Sequence, residues 1–169
     1  GSKTKVEYIQ VHENLDDGIE FFGGTVNVRN VVLSSIGDDS LDWSFGWTGK
    51  AQNVYIQQSA VNGDNAIEAD NSEFDASASP QTMPTISNVT IVGASGRNGI
   101  RLRAGTQGIL KNVVVTGPDD YAKCLRVNGD ESVAHAENGD LTMTHSFVAC
   151  STENNFASSD LAAPAAWFN

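Results

Sequence analysis

The sequence predicts an all-β chain wound as a parallel β-helix, a solenoid of about six coils with one inserted loop. A short apolar segment recurs in phase along nearly the whole chain. A second segment, with the two-residue period of a strand, follows each copy but the last. The repeat unit shows no helical period, which disfavours helical solenoids, and it is too short for a propeller blade.

The first segment is Asn, Val, any residue, then another apolar residue. It reads Asn30-Val31-Val32-Leu33, Asn53-Val54-Tyr55-Ile56, Asn88-Val89-Thr90-Ile91 and Asn112-Val113-Val114-Val115. Lys5-Val6-Glu7-Tyr8 and Asp140-Leu141-Thr142-Met143 are read as degenerate copies, so coils begin near Val6, Val31, Val54, Val89, Val113 and Leu141. Successive spacings are 25, 23, 35, 24 and 28 residues. The longest holds an insertion over residues 70–84, rich in Ser, Ala, Pro and Asp, which reads as a loop leaving the solenoid.

The second segment reads Ile19-Glu20-Phe21, Leu41-Asp42-Trp43, Ile67-Glu68-Ala69, Ile100-Arg101-Leu102 and Leu125-Arg126-Val127. Apolar residues flank a charged one, so the apolar pair faces inward and the charge outward. Parallel coils stack at about 4.8 Å and bury one side of every strand. An antiparallel sandwich would carry hairpin signals every 8–12 residues and would not explain segments recurring in phase. The in-phase Asn30, Asn53, Asn88 and Asn112 read as a structural ladder of side-chain amides. That reading absorbs the sequon at Asn88-Val89-Thr90 without a sugar.

The 169 residues suffice for one domain, residues 1–169. Ten Lys and Arg against 21 Asp and Glu leave a net charge of −11, which argues against a nucleic-acid partner and against docking on anionic lipid. No run approaches the roughly 18 apolar residues of a membrane span, so no membrane insertion is expected. Cys124 and Cys150 leave two readings open: a pair of buried thiols, or one bridge and with it an oxidising compartment.

Registering the coils on Ile19, Leu41, Ile67, Ile100 and Leu125 stacks Glu20, Asp42, Glu68, Arg101 and Arg126 in one outward column. Phe22, Ser44, Asp70, Arg103 and Asn128 form a second, and Asp16, Asp38, Asp64 and Arg97 a third. Acids fill the early coils and bases the later ones. Carboxylates at such spacing repel by about 1 kcal/mol per pair in water and more near a protein surface. Relief comes from ion pairs (Glu68 with Arg101, Asp64 with Arg97), from raised pKa values, or from a bound Ca²⁺, which takes six to eight oxygen ligands. Asp16, Asp38, Asp64, Glu20, Asp42, Glu68 and Asp70 are the metal candidates, and Asp70 to Asp75 forms a second, weaker calcium loop. Phe21 and Trp43 are expected in the core. Phe22, Phe45 and Trp47 are candidates for exposed rings that stack on sugar, with packing against a neighbouring loop as the competing account.

The phrases Val6-Glu7-Tyr8-Ile9-Gln10-Val11-His12, Leu15-Asp16-Asp17-Gly18-Ile19-Glu20-Phe21-Phe22 and Gly37-Asp38-Asp39-Ser40-Leu41-Asp42-Trp43 carry a resemblance. So do Gly63-Asp64-Asn65-Ala66-Ile67-Glu68-Ala69-Asp70-Asn71 and Phe147-Val148-Ala149-Cys150-Ser151. Together they resemble uncharacterised bacterial secreted or lipoprotein-type surface proteins with right-handed parallel β-helix repeats. The resemblance implies a right-handed helix, a secreted or cell-surface location, and a chain that is part of a longer protein, with solenoid ends open to self-association. It carries no activity. The broader architecture is similar to pectate and alginate lyases, polygalacturonases and phage tailspikes. By that likeness, Arg101, Arg126 and Lys123 are proton-abstractor candidates beside Ca²⁺, and Trp47, Phe22 and Arg103 are binding candidates for a polysaccharide or cell-surface glycan. Asp16, Asp38, Asp42 and Glu68 would be the carboxylates of a hydrolase. The leading expectation is a calcium-stabilised surface module for binding or adhesion. A lyase or hydrolase of acidic glycans, and a structural piece of a surface assembly, are the alternatives.

Overall fold

The computed structural model describes residues 1–151 and 156–157. In chain order the strands are β1 (Lys5–His12), β2 (Ile19–Gly24), β3 (Asn27–Ser34), β4 (Leu41–Trp47), β5 (Lys50–Gln57), β6 (Asn65–Ala69), β7 (Thr85–Val92), β8 (Asn98–Leu102), β9 (Gly108–Thr116) and β10 (Lys123–Val127). After the helix α1 (Asp130–Asn138) come β11 (Leu141–Thr144), β12 (Phe147–Ala149) and β13 (Phe156–Ala157). Odd strands from β1 to β11 pair in order in one sheet, which β12 joins by pairing with β9. The other sheet runs β2-β4-β6-β8-β10-β13. Neighbours are parallel throughout, so each turn of chain lays one strand on each sheet. This is a parallel β-helix.

Period-two burial closes the interior. Val31, Val54, Val89 and Val113 stack from the first sheet, and Leu41, Ile67, Ile100 and Leu125 from the second, each 3% exposed or less. Each such side chain contributes about 1.5–3 kcal/mol of burial. The residue before Ile19 and before each of these four in the second sheet is small (Gly18, Ser40, Ala66, Gly99, Cys124), because turns pile directly on one another there. A Cβ at Gly99 would lie 2.1 Å from the carbonyl oxygen of Cys124.

The amide ladder runs Asn112 to Asn88 to Asn53 to Asn30, each Nδ2 donating to the next Oδ1 at 2.8–2.9 Å. All four residues are left-handed, with φ between 54° and 57°. Asn tolerates that conformation better than other side chains because its amide bonds locally.

Two coil registers differ from the sequence reading. Ile9, not Val6, pairs with Val31, and Leu141 pairs with Gly108 rather than Val113. The left-handed ladder position is filled by Tyr8 in the first coil and lies at His145 in the last, so neither end carries the Asn that marks the phase. The helix α1 is a second correction. It starts after Gly129 with Asp130 and Glu131 in its first turn and stops at left-handed Gly139, the charge and capping pattern helices favour. Cys124 and Cys150 are bridged, with Cα atoms 6.2 Å apart, tying β10 to the segment after β12.

Residues 70–84 link β6 to β7 without a strand. The link folds back on the second sheet: Thr82 donates its backbone N–H to Asn71 Oδ1 at 2.8 Å and accepts from the N–H of Gly46 at 2.8 Å.

Candidate functional site

The outward columns form as the register predicts. Glu20 pairs with Asp42, Asp42 with Glu68, Glu68 with Arg101, and Arg101 with Arg126. Beside them, the tight turns before each strand bring up Asp16, Asp17, Asp38, Asp39, Asp64 and Asn65. Carboxylate oxygens of Asp16, Asp17 and Asp38 lie within 4.8 Å of one another, as do those of Asp17, Glu20 and Asp42, those of Asp38, Asp39 and Asp64, and those of Asp39, Asp42 and Glu68.

Burial, and then crowding, raises the pKa values along this ladder. Burial first, then Asp17, pushes Glu20 up to about 7. Burial, then Asp17 and Glu20, pushes Asp42 to about 8. Asp39 rises to about 7 by burial, against the pull of its hydrogen bonds from Asn65. Asp17 and Asp38 are raised for the same leading reason. Asp42 Oδ1 is buried and has no hydrogen-bond partner.

Asn65 stands where earlier turns carry Asp17 and Asp39, and it relieves part of the repulsion. Its Nδ2 lies 2.9 Å from Asp39 Oδ1 and 3.1 Å from both Asp64 Oδ2 and Glu68 Oε1. Arginines relieve the rest of this end. Arg101 pairs with Glu68 at 3.1 Å. Arg103 pairs with Glu68, Glu73 and, at 3.0 Å, Asp70, whose pKa burial still lifts to about 6. The expected Asp64–Arg97 pair is absent among the described residues. Arg97 donates instead to the carbonyl oxygens of Gly63 and Ala60, and Asp64 accepts from Asn98 Nδ2 at 2.9 Å. In the weaker calcium loop, Asp75 Oδ1 accepts from the backbone and hydroxyl of Ser77.

Past the ladder lies a groove of about 300 Å³. Glu20, Asp42, Glu68, Asp70 and Glu73 line it together with Ser44, Arg103 and three phenylalanines. Phe22, Phe45 and Phe74 form a row of near-parallel rings with centroids 6.1 and 6.4 Å apart. Phe22 is 68% and Phe74 87% exposed. Phe45 should point inward by alternation from Leu41. It points out because it adopts φ 49° beside left-handed Gly46, where the register between β2 and β4 also shifts. A bulky side chain with positive φ is an outlier, and a bulge re-aims a side chain.

One binding candidate lies on the inner face, in phase with Leu41 and Trp43. Trp47 is 0% exposed, stacks on Phe21 at 4.1 Å, and donates Nε1–H to the Val26 carbonyl at 3.0 Å. It belongs to the core. Phe22 and Arg103 do share the groove. Of the proton-abstractor candidates, Arg101 is ion-paired, Arg126 donates to Asn98 Oδ1, and Lys123 lies in register with Asn98. Burial, then the charge of Arg101, lowers the Arg126 pKa.

Sequence reasoning set Asp17 and Asp39 at the turn between the columns but not among the metal candidates, although the Asp-Asp doublets at 16–17 and 38–39 repeat in phase. It placed Glu73 and Phe74 in the weaker calcium loop and not in the groove, which they reach only through the path of the inserted loop. The model of one protein family, described as a pectate-lyase-like β-helix domain, matches residues 1–165. No curated protein and no solved structure gives a significant match.

Proposed function

Because the chain belongs to the pectate-lyase-like β-helix family, we propose that it is a secreted or cell-surface module that binds glycan and is stabilised by calcium held on its acidic ladder. One observation carries the calcium reading: Asp17, Glu20 and Asp42 crowd within 4.8 Å with no basic side chain among the causes of their raised pKa values. The donor set is hard oxygen, which suits Ca²⁺ and not a softer metal. The orphaned Asp42 Oδ1 is an acceptor waiting for a cation. Asp16 and Asp38 would complete the site from the turns. Glu68 and Asp70 are already neutralised by Arg101 and Arg103 and stand second in line. The bridge between Cys124 and Cys150 supports an oxidising location.

The test is calorimetric titration with Ca²⁺ after chelation, beside melting curves. Binding with a raised melting temperature, lost in Asp42→Asn, is the expected result. No heat and no shift would remove calcium from the reading.

A second reading, a lyase acting on acidic glycan, draws on Arg126, whose lowered pKa suits a proton abstractor. Screening alginate, pectate and glycosaminoglycans for new unsaturated ends decides it. Turnover that survives both Arg126→Ala and Arg101→Ala would remove these residues from that role.

A further inference from the structure

The groove shares Glu20, Asp42 and Glu68 with the ladder and adds Ser44, Asp70, Glu73, Arg103 and an aromatic rim. Five carboxylates line it against a single guanidinium, that of Arg103. Arg103 is already committed to Glu68, Asp70 and Glu73. A uronate chain would meet repulsion there, with no free cation to receive it.

Ser44 adds an independent pointer to a ligand. It is 8% exposed, lies in the outward column beside Phe22, lines the groove, and has no hydrogen-bond partner for its hydroxyl. Asp42 Oδ1, in the same wall, is likewise unpartnered and is open to an amine when calcium does not hold it. Buried polar atoms without partners are costly, so a ligand that satisfies them is favoured over one that does not.

The rim is aromatic. Inorganic cations take oxygen ligands and gain little from a phenylalanine edge, whereas an organic ammonium gains from both carboxylate and ring face. A protonated amine carries three donors on one atom, matching the clustered acceptors. Sugar rings present C–H faces to aromatic planes while their polar groups reach the floor.

We infer that this groove binds a glycan bearing free amino groups, one ammonium seated among Asp42, Ser44 and Asp70 and the sugar faces against Phe22, Phe45 and Phe74. The inference rests on the glycan-binding reading above and names its ligand class.

The test is calorimetry near neutral pH in chelator with four probes: a glucosamine hexamer with free amines, its fully N-acetylated form, a galacturonate hexamer, and hexalysine. Phe74→Ala and Phe22→Ala remove exposed rings and leave the core intact. The free-amine hexamer is expected to bind and to weaken roughly five- to tenfold in either variant. Galacturonate and the N-acetylated hexamer are expected not to bind. If either of those two binds at least as tightly as the free-amine hexamer, the amine inference is overturned and glycan binding stands. If no sugar binds, both fail. Hexalysine binding as tightly as the free-amine hexamer, with no loss in the ring variants, would reduce the effect to net charge and overturn the inference.

Discussion

Asp42 stands in register with Glu68 on the neighbouring strand, yet of the two only Glu68 meets a guanidinium among the described residues. The change from unpaired to paired acid happens within one coil step. It follows from the column itself: Arg101 lies one coil beyond Glu68 and two beyond Asp42. The unpaired end is therefore where pH and calcium act.

Stability in the absence of calcium should fall as pH rises from about 4 to about 8. Glu20, Asp39 and Asp42 have folded pKa values of about 7, 7 and 8, above their ordinary values of 4.5, 3.8 and 3.8. An acid of this kind binds its proton more tightly in the folded chain. Its stabilising contribution is complete below the unfolded value and is lost as pH climbs through the folded one. Melting curves in chelator across that window check this, and added Ca²⁺ should remove most of the slope. A melting temperature that rises with pH in chelator would contradict the account.

Replacing Asp42 by Asn should stabilise the calcium-free protein above about pH 8, where the carboxylate is ionised. The expected gain is about 1–2 kcal/mol, or roughly 2–4 °C per kcal/mol for a chain of this size. The same variant should lose the response to Ca²⁺. A chemical unfolding series with and without calcium separates the two effects.

Glu68→Gln should do the opposite. It leaves Arg101 without its carboxylate partner, while Arg103 keeps Asp70 and Glu73. Breaking a buried pair costs about 3–5 kcal/mol, and the partial exposure of both arginines brings the expected loss to about 2–3 kcal/mol. Urea unfolding measures it. A neutral outcome would show that Asn65 alone holds this end of the ladder.

Reducing the Cys124–Cys150 bridge, or replacing both residues by Ser, should cost on the order of 3–4 kcal/mol through the 26-residue separation it closes. The loss should appear as an earlier urea midpoint for the double variant, and wild-type protein in reductant should match it.

The register of the second sheet was legible because Ile19, Leu41, Ile67, Ile100 and Leu125 each precede a charged residue, and burial forces that alternation into one phase. The acid column followed at once. The end coils were not legible, because Tyr8 and His145 fill the ladder position without the residue type that marks it. Trp47 was offered as an exposed ring although alternation from Leu41 and Trp43 puts it inside, where it is; the residue that departs from the alternation is left-handed Phe45. Phe74 joins Phe45 only when the inserted loop folds back, anchored by Asn71 and Thr82, a path set by tertiary hydrogen bonds rather than by local pattern.

The amide ladder permits a test that separates backbone conformation from side-chain bonding. Asn53 donates to Asn30 and accepts from Asn88, and it holds φ at 57°. Asn53→Ala loses both amide bonds and places a Cβ residue in the left-handed region. Asn53→Gly loses the same bonds at a φ that glycine accepts freely. A left-handed L-residue costs about 1–2 kcal/mol, and each exposed amide bond contributes about 0.5 kcal/mol or slightly more. The expected losses are therefore about 2–3 kcal/mol for Ala and about 1 kcal/mol for Gly, read by urea unfolding. Equal losses would assign the whole effect to the amides. No loss in either would mean that the stacked strands hold their register without the ladder, and that Asn recurs there for its backbone preference in the unfolded and nascent chain alone.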